Sequence, residues 1–170
     1  MLTIGHSNRT APEFVSRLRA NGVELLADIR RIPKSGRNPW FSGPALRADL
    51  SAAGIGYRHF EALGGMRTAR DDSPNSAILD ASFRGYADHM MTAEFNAALD
   101  ELLDLASRCK AAAMCAEADP AHCHRWYLAD AVVARGWEVG HITSQGPPHA
   151  HSLSPWARVE EGRVKYPGLF

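Results

Sequence analysis

Lys110-Ala111-Ala112-Ala113-Met114-Cys115, then Asp119-Pro120 opening a segment that runs to Arg135-Gly136, then Trp137-Glu138-Val139-Gly140-His141-Ile142-Thr143: this stretch decides the fold. Its first part is a run of small apolar residues too short for a helix of ordinary length, and it reads as a fully buried strand. Asp119 suits a helix cap, Pro120 suits the first helical position, and Gly136 suits the stop. The third part is again a short apolar run. Strand–helix–strand in this order is the unit of a parallel sheet covered by helices.

The pattern repeats outward in both directions. Leu2-Thr3-Ile4 is a short strand. Thr10-Ala11-Pro12-Glu13 carries a capping box with proline in the first turn, Phe14, Val15 and Leu18 form an apolar stripe, and Asn21-Gly22 ends the helix. Strands follow over 23–29 and 55–60, separated by a long polar loop from Arg30 to Gly43 and a short helix from Pro44 to Ala53. Residues 61–79, with Gly64-Gly65 and Ser73-Pro74-Asn75, read as irregular. Helices are predicted over 81–91 and 93–108 with Thr92 as the cap between them, and Arg158–Tyr166 reads as a hairpin turning near Gly162. The expected architecture is α/β: a single three-layer domain over residues 1–170, a mainly parallel sheet flanked by helices, with a small C-terminal hairpin. His149-Ala150-His151 is expected to be an exposed loop. Met90-Met91 and Trp126-Tyr127 are read as helix packing.

Composition bounds the function. The chain has 170 residues, one domain on the usual prior of ~100–200 residues. Its 19 basic residues balance 19 acidic ones, which argues against a surface wholly given to nucleic acid or membrane. The amino-terminal residues lack the basic and apolar regions of a secretory signal, and no window has the ~18 uninterrupted apolar residues of a spanning helix. The three cysteines, Cys109, Cys115 and Cys123, are too few and odd in number for a disulfide framework, so a reduced, cytoplasmic protein is expected.

Ligands of such sheets bind outside the carboxyl ends of the strands. The unusual polar residues follow predicted strand ends: His6-Ser7-Asn8, Asp28 with Arg30, Cys115-Ala116-Glu117, and His141 with Thr143. In Cys115–Arg125, a helix start beside His122, His124 and Arg125 would favour anions and thiolates. Cys115 and Cys123 are therefore candidate nucleophiles or a redox pair, the alternative being two small buried hydrophobes. Seven residues separate them, so there is no Cys-x-x-Cys motif, and the spacings of ten and two to Arg125 do not match a thiol-phosphatase loop. Arg125, disfavoured by the helix dipole, is expected to be held by Glu117 or by a bound ligand. His6, His59 or His141 could complete a metal site, but a structural zinc site needs two short-spaced ligand pairs and this segment holds one half, so no metal ligand is assigned.

Between Ile29 and Ala48 lie Arg30, Arg31, Lys34, Arg37 and Arg47 and no acidic residue. Arg30, Arg37 and Ser35 suit a phosphate or carboxylate, and Trp40 and Phe41 either stack a base or anchor the loop. Asp28 is either the ion-pair partner of Arg30 or a general base. Gly5 permits close backbone approach, and Ser7 and Asn8 either bond a ligand or shape a turn.

The run Thr3-Ile4-Gly5-His6-Ser7-Asn8, with Asp28-Ile29-Arg30, Pro33, Ser35, Asn38-Pro39, Phe41, Leu63-Gly64-Gly65, Met114-Cys115-Ala116-Glu117, Cys123-His124-Arg125 and Val139-Gly140-His141-Ile142, resembles the domain of unknown function 488 family from Thr3 to about Tyr166. The resemblance implies a small bacterial or archaeal α/β domain and names no reaction.

The reading from the residues is an enzyme, a hydrolase or group transferase, acting on an anionic, phosphate-bearing or nucleotide-like small molecule in a crevice at the strand ends. Cys115, Glu117, Cys123, His124, Asp28 and His6 are the candidate catalytic residues. Ser7, Asn8, Arg30, Ser35, Arg37 and Arg125 are the candidate ligand-binding residues. A nucleic-acid end is a less favoured ligand, and no membrane partner is expected. No Walker loop or Gly-x-Gly-x-x-Gly follows the first strand, so no cofactor is named. The alternative is a non-catalytic ligand-, metal- or redox-sensing module.

Overall fold

Strand β4 (Ala111–Cys115) is buried along its whole length, and its small side chains let helices close on both faces. It lies between β1 (Leu2–Gly5) and β2 (Leu25–Asp28), parallel to each. The computed structural model describes residues 1–143 and 146–168. Outward from β2 comes β3 (Gly56–His59), and outward from β1 come β5 (Gly140–Ile142) and β6 (His149–Ala150), so the sheet order is β3-β2-β4-β1-β5-β6. Only β6 runs antiparallel, pairing with β5. β7 (Arg158–Glu160) and β8 (Arg163–Lys165) form the separate C-terminal hairpin, with positive φ at Glu161 and Gly162 in the turn.

The sheet divides two cores. Helices α1 (Ala11–Ala20) and α2 (Gly43–Ala52) place Phe14, Leu18, Leu46 and Leu50 against Ile4, Leu26, Ala112 and Met114. On the other face, α3 (Ala81–Met90), α4 (Ala93–Arg108) and α5 (His124–Ala134) place Tyr86, Phe95, Leu99, Leu128 and Val132 against Ala27, Ala113 and Cys115. Alternate residues of β4 thus serve opposite cores, as the two-residue period of a strand requires. The thiol of Cys115 is delivered to the α5 side.

Local chemistry sets the boundaries. α1 begins with the expected capping box, in which Thr10 accepts from the Glu13 N–H and Glu13 reaches back to the Thr10 N–H. Thr92 caps α4 by accepting from Phe95 N. Two expectations are corrected. Asp119-Pro120 opens a single 3₁₀ turn over Pro120–His122, and α5 starts only at His124 with Cys123 as its cap. The Asp119 carboxylate is taken by the Ala121 N–H and His122, which closes that turn locally. His149–His151 is not an exposed loop: its first two residues extend the sheet edge, and the His151 side chain is fully buried. The segment over 61–79 is irregular apart from a 3₁₀ turn at Glu61–Leu63, and buried Asp88 organises it by accepting from Arg70 N, Ser73 Oγ and Asn75 Nδ2. Among the described residues no helix is long and apolar enough to cross a membrane.

Candidate functional site

The chain leaves β1 toward β2 with α1 on one face, and leaves β4 toward β5 with α5 on the other. The loops after these adjacent strands therefore part at their carboxyl ends, which is where open α/β sheets bind ligands. The two loops are laced together at their base: His6 N donates to Cys115 O at 2.9 Å and Ser7 N to Ala116 O at 2.8 Å. Gly5 is required here. A Cβ at this position would stand 1.7 Å from the Glu117 carbonyl oxygen and 2.8 Å from Arg125 Nη1. Ser7 holds φ at 52°, an uncommon backbone conformation for a residue with a side chain.

His6 stacks on Phe41 with ring centres 4.3 Å apart, and Asn38 Nδ2 donates to Ser7 O. Phe41 is thus an anchor of the basic loop and is fully buried. The His6 Nδ1–H donates to Ser7 O at 2.9 Å, which leaves Nε2 with a lone pair, buried and without a partner among the described residues. Burial lowers the pKa of His6, so the ring is held neutral as a proton acceptor.

Asp28 is the ion-pair partner of Arg30. Its oxygens accept from Arg30 N, Nε and Nη2 and from Tyr57 OH, at 2.6–3.1 Å. Four donors occupy the carboxylate, so it orients Arg30 and is not poised as a base. The third guanidinium nitrogen, Arg30 Nη1, is buried and has no partner among the described residues.

The sulfurs of Cys115 and Cys123 stand 2.7 Å apart, both as free thiols. Cys123 caps α5, accepting from the Arg125 N–H at 3.4 Å, and lies 3.6 Å from His124 Nδ1. His124 Nε2–H donates to Ile29 O, so Nδ1 is the nitrogen left to accept the thiol proton. Burial pushes the Cys115 thiol up, whereas the hydrogen bond from Cys115, followed by those from His124 and the α5 backbone, pulls Cys123 well below the ordinary thiol value. Of the two, Cys123 is therefore the more acidic thiol.

Arg125 is fully buried, and its Nη2 donates to Ala118 O at 3.2 Å while Nε and Nη1 have no partner among the described residues. The expectation that Glu117 holds it is corrected: Glu117 is exposed, and among the described residues no carboxylate lies within ion-pair distance of Arg125. At Gly5 the backbone carbonyl of Glu117 is packed against the end of β1, and the exposed Glu117 side chain lies outside this contact.

The structure therefore brings together His6, Ser7, Asp28, Arg30, Cys115, Cys123, His124 and Arg125. Ser35 supports the basic loop by accepting from Asn38 N. Asn8, Arg37 and Glu117 are exposed and their side chains make no hydrogen bond among the described residues. Of the three histidines weighed as metal ligands, His6 bonds Ser7 O within the site, His59 bonds Arg30 O, and His141 bonds Thr3 and His151. Among the described residues no group of three or more His, Cys, Asp or Glu side chains is arranged to hold a metal ion.

Sequence reasoning missed several supporting side chains. Arg9 ties the ends of β1 and β5 through Gly5 O and Thr143 O, Tyr57 bonds Asp28, and Tyr86 packs edge-on against His124 with centres 5.1 Å apart. Arg9 was within reach, since it directly follows His6-Ser7-Asn8. Tyr57 and Tyr86 come from β3 and α3, and no local pattern links them to the site.

Comparison with curated proteins and with solved structures found no match. The family model for the domain of unknown function DUF488 matches residues 10–132, which span the basic loop, both cysteines and the start of α5, and the chain belongs to that family.

Proposed function

We propose that this protein is a cytoplasmic hydrolase or group transferase that binds a phosphate-bearing, nucleotide-like anion at the carboxyl ends of β1, β2 and β4. One observation carries the reading: three guanidinium nitrogens, Arg30 Nη1 and Arg125 Nε and Nη1, and one imidazole nitrogen, His6 Nε2, are buried there without partners among the described residues. Buried polar atoms are normally paired, and an unpaired buried charge is costly. A bound oxyanion supplies acceptors to all three guanidinium nitrogens and neutralises Arg125, which lacks a carboxylate.

The chain's own groups then divide the work. Arg30 and Arg125 grip the anion, with Asp28 as the positioning residue for Arg30. Cys123 is the nucleophile and His124 takes its proton. In transfer from an ester, the Cys123 sulfur bonds to phosphorus, the ester P–O bond breaks, and His124 returns the proton to the leaving oxygen. Water then attacks the thiophosphate, His6 Nε2 accepts its proton, and the P–S bond breaks to restore the thiolate.

Calorimetric titration with inorganic phosphate tests the binding step. Saturable binding to the native chain, weakened about 10- to 150-fold in Arg125→Met on the ~1.5–3 kcal/mol scale of a charged hydrogen bond, is expected. No saturation with phosphate, or equal affinity in the variant, overturns the reading. Release of phosphate from nucleotide and aryl esters tests turnover. Binding without turnover favours the sensing module, for which the juxtaposed cysteines are the specific support.

A further inference from the structure

We propose that Cys115 and Cys123 form a reversible disulfide that turns the strand-end site off by removing its nucleophile while leaving the anion grip in place.

The inference starts from the single connection between β4 and α5, whose two ends are brought back into contact. Cys115 ends β4 facing the α5 side of the sheet, and Cys123 caps α5 after a turn that folds back over that same strand end. The result is two sulfurs in direct contact, both nearly inaccessible, while Cys109 sits at the end of α4 with its thiol toward Leu105 O. A nucleophile for phosphoryl transfer needs one thiol. The second is in hydrogen-bond contact with the first and also stands where it can attack it.

The thiols differ as the two partners of such an exchange should. Cys123 has the groups that stabilise a thiolate, namely the His124 imidazole, the Arg125 N–H and the α5 amino terminus. Cys115 lies in an apolar strand end, where burial keeps its proton on. Cys123 is therefore the attacking sulfur and Cys115 the resolving one.

The oxidant is a small peroxide, since neither sulfur is open to a bulky disulfide. The Cys123 thiolate attacks one peroxide oxygen and the O–O bond breaks. Hydroxide leaves and takes a proton from solvent as water, and Cys123 is left as a sulfenic acid. The Cys115 sulfur then attacks Cys123 Sγ, the S–O bond breaks, and the departing hydroxide takes the Cys115 proton. Two thiols are oxidised, one hydrogen peroxide is reduced, and two waters are formed. A dithiol reductant reverses the state by exchange.

Its effect on the site rests on the anion-binding reading above. Oxidation changes the Cys123 sulfur, which meets Arg125 through the backbone N–H, and leaves the guanidinium groups of Arg30 and Arg125 and the His6 ring in place. The oxidised protein should bind phosphate as tightly as the reduced protein or several-fold tighter, and turn over no ester.

The test is alkylation under denaturing conditions followed by intact mass and peptide mapping, before and after hydrogen peroxide. The reduced chain should accept three alkyl groups and the oxidised chain one, on Cys109, with full recovery after dithiothreitol. Cys109→Ser should behave alike at the other two positions. In Cys115→Ser, Cys123 should stop at a sulfenic acid trapped by a dimedone probe. Three alkylations after peroxide, or a bridge that includes Cys109, overturns the proposal, and mapping of the native chain decides this even if a variant fails to fold. Phosphate titration of the same samples separates the two ideas. A disulfide without phosphate binding sinks the anion site alone, and phosphate binding without a disulfide sinks the switch alone.

Discussion

Helix α5 carries two buried polar clusters, and they are built on opposite terms. At its start, Cys123, His124 and Arg125 leave guanidinium nitrogens unpaired. In its middle, Asp130 accepts from His151 Nε2, Ser154 N, Ser154 Oγ and Tyr166 OH at 2.6–3.0 Å. A chain of hydrogen bonds runs on from there, with His141 Nε2–H donating to His151 Nδ1 and Thr3 Oγ1–H donating to His141 Nδ1. Burial, followed by the neighbouring His151, pushes His141 down to about 4, which keeps it neutral and the chain one-directional. Trp126 roofs the cluster, stacked on His141 and bonded to Ser154 Oγ. The complete network ties β1, β5 and the C-terminal segment to α5. The incomplete one, at the strand ends, leaves buried polar atoms unpaired among the described residues, and the proposed anion site rests on that difference.

Breaking the complete network should cost the most. Asp130→Ala strands four donors, and unfolding in urea should show a loss of about 3–5 kcal/mol, the range for removing one partner from a buried charged cluster. A loss below ~1 kcal/mol would erase the contrast between the two clusters.

Arg125→Met sharpens the contrast from the other side. Its ligand-free stability should stay within about 1 kcal/mol of the native chain, because the change removes an unpaired buried charge along with one hydrogen bond. A fall of several kcal/mol in ligand-free urea melts would make Arg125 a structural residue like Asp130.

The pH dependence follows from Cys123. Its thiol pKa is lower in the folded chain than the ordinary ~8.5, so below that value the unfolded state binds the extra proton. The stabilisation is present above the ordinary thiol pKa and declines as pH falls toward the folded one. Relative to Cys123→Ser, the native chain should lose stability progressively on acidification from about pH 8.5. Parallel curves for the two proteins would show that the thiolate is not selectively held. The smallest effect is expected for Glu117→Gln. The exposed carboxylate has no partner among the described residues, so urea midpoints should move by less than ~0.5 kcal/mol and phosphate affinity should not change.

Much of the frame was legible without coordinates. The capping box at Thr10, the Thr92 cap and the small-residue strand at Ala111–Cys115 are written in adjacent residues, and their elements fall within a few residues of expectation. The site was legible as a set of strand-end positions, because parallel strands bring their carboxyl ends to one side of the sheet. Its internal roles were not. Glu117 was expected to pair with Arg125 because the two are close in sequence, but Gly5 packs against the intervening backbone and leaves the carboxylate outside. The His149–His151 segment looked like an exposed loop because its composition is polar and proline-rich. His149 and Ala150 are indeed exposed, but burial of the His151 side chain depends on Asp130 and His141, which lie on other elements.

The sequence by itself determined the α/β class, the parallel register of chemistry at the strand ends, the basic loop and the identity of every candidate group, since caps, periodicity and turn residues act over a few positions. Tertiary structure decided which of those groups are satisfied. Asp28 was spent on Arg30, Arg125 was left without an acid, Cys115 was set against Cys123, and His151 was drawn into the core. Pairing of buried polar atoms depends on which elements pack together, and no local pattern in the chain encodes that.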